Sequence, residues 1–101
     1  MTIKLVKRSD KSALLQLEGR LDTGSAPSAQ EAFLKVAGEY ADIELDFTKL
    51  AYISSAGLRS LLVLQKQVNR TGGSLSLTHV APSVKEVFEI TGFSSILNIT
   101  G

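Results

Sequence analysis

The chain has no cysteine. Disulfides, a thiolate nucleophile and a cysteine metal site are therefore excluded. There is one histidine, His79, which leaves too few ligands for a transition-metal site. Excess charge is also missing, because 11 lysines and arginines face 10 acids for a net charge of +1. Proteins that grip a phosphate backbone carry a basic surplus, so direct nucleic-acid binding is not expected. No stretch approaches the roughly 18 uninterrupted apolar residues that a membrane span needs, and Met1 to Lys7 lacks the apolar centre of a secretion signal. No membrane insertion is expected, and the expected address is the cytoplasm. No Gly-x-x-x-x-Gly-Lys-Ser/Thr phosphate loop occurs either.

What is present is ordinary globular material, 44% hydrophobic and 21% charged, in a length that suits one domain over residues 1–101. Ile3 and Leu5 alternate with polar neighbours. After a polar break, Ala13, Leu15 and Leu17 do the same, which predicts an antiparallel pair. Gly19 to Ser25 reads as a loop containing the turn former Asp22. From Ser25 the spacing changes to three and four through Ala26, Ala29, Phe33, Val36, Ala37 and Tyr40, with Pro27 at a first-turn position. Ile43, Leu45 and Phe47 then alternate with Asp42, Glu44 and Asp46, a strand with one acidic face read as solvated. A loop from Thr48 to Ile53 leads into a helix ended by Gly72 and Gly73, whose buried side is expected to hold Leu58, Leu61, Leu62, Leu64 and Val68. A strand over Ser74 to Thr78, a helix over roughly Ser83 to Thr91 and a last short strand over Ile96 to Ile99 complete the order. Strand–helix–strand units imply parallel neighbours, so the prediction is an α/β domain: a mixed four- to five-stranded sheet, an N-terminal antiparallel pair and about three helices.

The central stretch is Leu50 to Leu64, where Ser54 and Ser55 stand at the change from loop to helix. A serine hydroxyl there can accept from the first free backbone N–H groups, and the plain reading of Ser55 is such a cap. The same position favours negative charge, a phosphoryl group included. With parallel strands before both segments, Asp22-Thr23 and Ser54-Ser55 fall at one sheet edge, where ligands and partners usually bind.

With these motifs in order, the chain resembles the STAS-domain anti-sigma factor antagonists over nearly its whole length. The resemblance rests on Gly19-Arg20-Leu21-Asp22, on Asp46-Phe47-Thr48 followed by Ser54-Ser55-Ala56-Gly57-Leu58, and on Val87-Phe88-Glu89-Ile90-Thr91-Gly92-Phe93. It implies a STAS-like fold, no enzymatic activity of its own and no cofactor. It also implies a phosphoacceptor at Ser55, with Ser54 as second choice because it replaces the family's usual aspartate. The implied partners are an anti-sigma factor with serine kinase activity, to which ATP binds, and a serine phosphatase. Asp22, Thr23, Ser54, Ser55, Gly57 and Leu58 are the implied partner-binding residues. A module of this family can alternatively serve, unphosphorylated, as an interaction or ligand-sensing subunit of a transport or stress-signalling assembly.

Two other chemistries compete for the same residues. Ile53 to Gly57 holds only half of a Gly-x-Ser-x-Gly elbow, and His79 with Asp46 or Asp22 is the remaining material for a hydrolytic triad. Asp42, Glu44 and Asp46 project from one strand face without converging, which disfavours a calcium site.

Overall fold

The computed structural model describes residues 1–100. Its elements are β1 (Thr2–Lys7), β2 (Ser12–Leu21), α1 (Ala26–Ala37), β3 (Asp42–Ile53), α2 (Ser55–Thr71), β4 (Ser74–Thr78), α3 (Pro82–Ile90) and a 3-10 turn over Phe93–Ser95. The sheet has the order β1-β2-β3-β4, with β1 antiparallel to β2 and the other pairs parallel. Alternation decides which face is covered. Ala13, Leu15, Leu17, Ile43, Leu45, Phe47, Leu75 and Leu77 are buried beneath the helices, and the residues between them, polar except Leu14, form the other face, exposed to half-buried. Ile3 and Leu5 align with Leu17 and Leu15, yet Leu5 is 45% exposed because β1 is the sheet edge.

β2 and β3 run further than the sequence predicts. The stretch read as a loop from Gly19 contributes its first three residues to β2, and all of Thr48 to Ile53 is strand. The two strands pair to their ends, with Arg20 opposite Tyr52 and Leu21 opposite Ile53, and the register shifts twice between Gln16 and Arg20. Gly19 at φ 104° occupies a conformation closed to most side chains, which lets β2 bend there. Beyond the shifts the buried residues of β3 recur at three, as Phe47, Leu50 and Ile53, so the period of two that marks a strand is lost.

The helices follow their stripes. α1 buries Ala26, Ala29, Phe33, Val36 and Ala37, while Tyr40 lies past its end. α2 buries Leu58, Leu61, Leu64 and Val68 together with Ser60 and Gln65; Leu62, expected there, is only half-buried. Ser60 is tolerated because its hydroxyl bonds to backbone carbonyls, Ala56 O at 3.2 Å or Ala26 O at 3.3 Å. Gly72 ends α2 at φ 75°. α3 starts one residue early, at Pro82.

The expected last strand does not form. Phe93–Ser95 makes a 3-10 turn instead, and the chain beyond touches β4 through one parallel bridge, Leu77 to Ile99. The acids of β3 also depart from a merely solvated face. Glu44 accepts from Arg8 Nη1 and Thr78 Oγ1, both at 2.7 Å, Asp42 accepts from Ser74 Oγ at 2.8 Å, and Asp46 accepts from the Thr48 N–H at 2.9 Å. Each acid is held by a neighbouring hydroxyl or cation.

Candidate functional site

Because β2 and β3 are parallel and end together, the turns that leave them emerge side by side. Asp22 opens the first turn. Its Oδ1 accepts from the backbone N–H groups of Gly24 and Ser25, each at 3.1 Å, while Ser25 Oγ accepts from Asp22 N at 3.0 Å and donates to Arg20 O at 2.8 Å. The Ser25 N–H, more than any other neighbour, holds the Asp22 carboxyl below its ordinary range against a smaller opposing effect of desolvation; the Ser25 hydroxyl, the Gly24 N–H and the Arg20 charge add to the lowering. Asp22 thus first shapes its own turn, while Thr23 beside it is exposed.

The second turn is one residue long. Ser54 N donates to Leu21 O at 2.9 Å, tying the end of β3 to the end of β2. With φ −102° and ψ 175° Ser54 is extended, and its Oγ accepts from Gly57 N at 3.3 Å. The cap of α2 is therefore Ser54 and not Ser55. Ser55 is the first helical residue and is exposed, and its hydroxyl is free of the capping task.

Leu58 lies on the buried side of α2, as its spacing predicts, and Gly57 is buried next to it. With Leu58 only 2% exposed, neither offers the surface to a partner that the resemblance implies. A Cβ on Gly57 would stand 2.7 Å from Leu21 O and 2.9 Å from Ile53 Cγ1, so glycine is what lets α2 press against the two strand ends. These two residues hold the site from below. Ser55, Ser54, Asp22 and Thr23 are its accessible part.

Arg20 and Tyr52, which sequence reasoning left without a role, complete the edge. The Arg20 guanidinium lies 4.2 Å from the centre of the Tyr52 ring, and its Nε is 3.8 Å from Asp22 Oδ2. Their cross-strand pairing depends on the shifted register, so only the aromatic and the cation themselves were visible.

The triad is not assembled. His79 Nδ1 lies 3.4 Å from Asp46 Oδ1, longer than the hydrogen bond that holds a catalytic Asp–His pair. Ser55, at the nucleophile's place in the half-elbow, comes after the end of β3, nine residues beyond Asp46 and roughly 25 Å away at strand rise. Among the described residues no group of three or more His, Asp or Glu side chains is placed to hold a metal ion.

A mixed sheet with an antiparallel first strand, helices on one face and a serine-capped helix start at the carboxyl edge defines an α/β module of the STAS type. The chain belongs to the STAS domain family, whose pattern matches residues 4–100. Among its relatives it is 30% identical over 95 residues to the anti-sigma-B factor antagonist of Bacillus subtilis, covering 94% of this chain and 87% of that one. It is 49% identical over 57 residues to the putative anti-sigma factor antagonist BtrV of Bordetella bronchiseptica, covering 56% of this chain and 49% of BtrV. The anti-sigma factor antagonist SpoIIAA in its unphosphorylated form shares the fold with a TM-score of 0.78 at 18% identity, over 99% of this chain and 88% of that one. The phosphorylated form of the Bacillus cell fate determinant SpoIIAA matches at 0.76, with 18% identity over 99% of this chain and 92% of that one.

Proposed function

We propose that this chain is an anti-sigma factor antagonist that works by partner switching. Unphosphorylated, it binds an anti-sigma factor that doubles as an ATP-dependent serine kinase, and a sigma factor is released. Phosphorylation of Ser55 breaks the complex, and a serine phosphatase restores it. The module is a kinase substrate and not an enzyme, and it acts in the cytoplasm. The observation that carries this reading is the division of labour at the start of α2: Ser54 caps, while exposed Ser55 has a hydroxyl to spare.

Physical chemistry makes the switch selective. A phosphoryl group adds about −1.5 to −2 charges, which a helix N-terminus tolerates or welcomes by roughly 0.3–1 kcal/mol. Folding survives. In an interface the same charge must shed its water against a surface shaped for a neutral hydroxyl, at a cost of several kcal/mol, on the order of a hundredfold or more in affinity.

The test is intact mass with peptide-level site mapping of the protein recovered from growing and from stressed cells. One phosphoryl group on Ser55 whose occupancy changes between the two states is the expected result. An unmodified mass in both states, with a partner still bound, would mean that the module acts by binding alone. In parallel, Ser55→Asp should weaken the complex while leaving the melting temperature within a few degrees. A melting temperature that falls as far as the affinity would sink the mechanism.

A further inference from the structure

α2 contains Arg59, Lys66 and Arg70 and no acidic residue, although the whole chain is close to neutral. At 3.6 residues per turn, Ser55, Lys66, Arg59 and Arg70 fall within an arc of about 60° along roughly 22 Å of helix. All four are exposed, and Leu62 and Val63, half-buried, flank the stripe one on each side, at a height between Arg59 and Lys66. Among the described residues none of the three cations has a salt-bridge partner; the lysines and arginines that do are Lys7, Arg8 and Arg20.

Helix stability does not account for this stripe. Arg70 in the last turn suits the dipole, but Arg59, near the first turn, opposes it. Lys66 and Arg70 are four apart with like charge, which costs a few tenths of a kcal/mol, and no acid stands three or four residues from any of the three. Solubility alone would be served as well by mixed charge.

We propose that this face of α2 is a docking surface for an acidic protein face, with a row of carboxylates bordered by apolar surface, on the anti-sigma factor. This rests on the function proposed above and names the chemistry of the partner's surface. Two observations select a protein over a nucleic acid or an anionic membrane: three cations in a nearly neutral chain make a weak phosphate footprint, and Leu62 and Val63 put apolar surface where a phosphate backbone has none to match. Continuity selects the same partner, because Ser55 heads the stripe. A phosphoryl group there places about −2 roughly one turn from Arg59, so modification cancels the cationic head of the stripe as well as blocking its tip. Lys66 and Arg70, roughly 16 and 22 Å from Ser55 along the helix, are screened from it.

Photocrosslinking tests this with the full chain in cells, p-benzoylphenylalanine replacing Thr23 in one variant and Lys66 in another. The expected result is an adduct of both with one ATP-binding anti-sigma factor, the Lys66 adduct mapping to a segment rich in aspartate and glutamate. An adduct from Thr23 alone, or from Lys66 to a neutral or basic segment, leaves the proposed function standing and overturns the docking surface. Crosslinking of Lys66 to nucleic acid or lipid overturns it in favour of that ligand. If neither position captures an anti-sigma factor, the proposed function fails and the docking surface with it. With the factor captured at Thr23 then purified, the Arg59→Glu, Lys66→Glu, Arg70→Glu triple variant should associate at least about tenfold more slowly at low salt, with the difference shrinking as salt rises. Equal rates at every salt concentration, with the variant's melting curve intact, overturn the proposal.

Discussion

Ser54 closes α2 with one hydroxyl, and its neighbour is released by that. The cap is an acceptor for a backbone N–H, so any short side chain with an oxygen serves, the aspartate usual in the family included. Ser54→Ala should therefore lower the unfolding free energy by about 1 kcal/mol, whereas Ser54→Asp should keep it within a few tenths or raise it. Urea denaturation of the three proteins checks both directions, and equal loss in the two variants would contradict the cap. Gly57 makes a stricter demand. An added methyl meets backbone at Leu21 O, which cannot swing aside, so Gly57→Ala should cost about 1–3 kcal/mol by thermal melting. A neutral result there would mean that α2 does not lie as close to the strand ends as described.

The elements answer to pH through β3. Glu44 is held below its ordinary range, first by the Thr78 hydroxyl and then by Arg8, against desolvation and the nearby Asp46 charge. For Asp46 burial is the largest influence and acts upward, but the Thr48 hydroxyl and N–H, His79 and Arg8 together outweigh it, so its carboxyl is also lowered. A carboxyl depressed in the folded state stabilises above its unfolded value, near 4, and that stability is lost as pH falls through the folded value. Thr78→Val removes the leading donor to Glu44. It should cost about 1 kcal/mol at neutral pH and flatten the acid limb of a stability-against-pH curve. An acid limb as steep as that of the parent would show that Glu44 does not depend on Thr78.

These same elements show what a sequence discloses. Where apolar residues alternate, as from Ala13 to Leu17 and from Ile43 to Phe47, the strands are legible, and the parallel order brings the Asp22 and Ser54 turns to one edge as expected. Where the register shifts, Leu50 and Ile53 fall out of period and the strand reads as a loop. Leu58 was legible as core from its helical spacing: it stands about 60° round the helix from exposed Ser55, on the side turned to the sheet, and a resemblance that groups it with the serines does not see that turn. Which of two adjacent serines caps depends on where the strand stops, and that was hidden by the same irregularity.

At the scale of the whole molecule, the two sides of the sheet are finished differently. β4 meets the end of the described chain, where Leu77 N donates to Asn98 O at 2.8 Å and Thr100 N donates to Leu77 O at 2.9 Å. Among the described residues β1 has β2 on one side and no strand on the other, with Lys4 and Lys7 along its length. Lysines on an outer strand discourage pairing between copies. The β1 edge is thus the longer free flank of the sheet, and its lysines are what stand between two copies of this protein pairing strand to strand there.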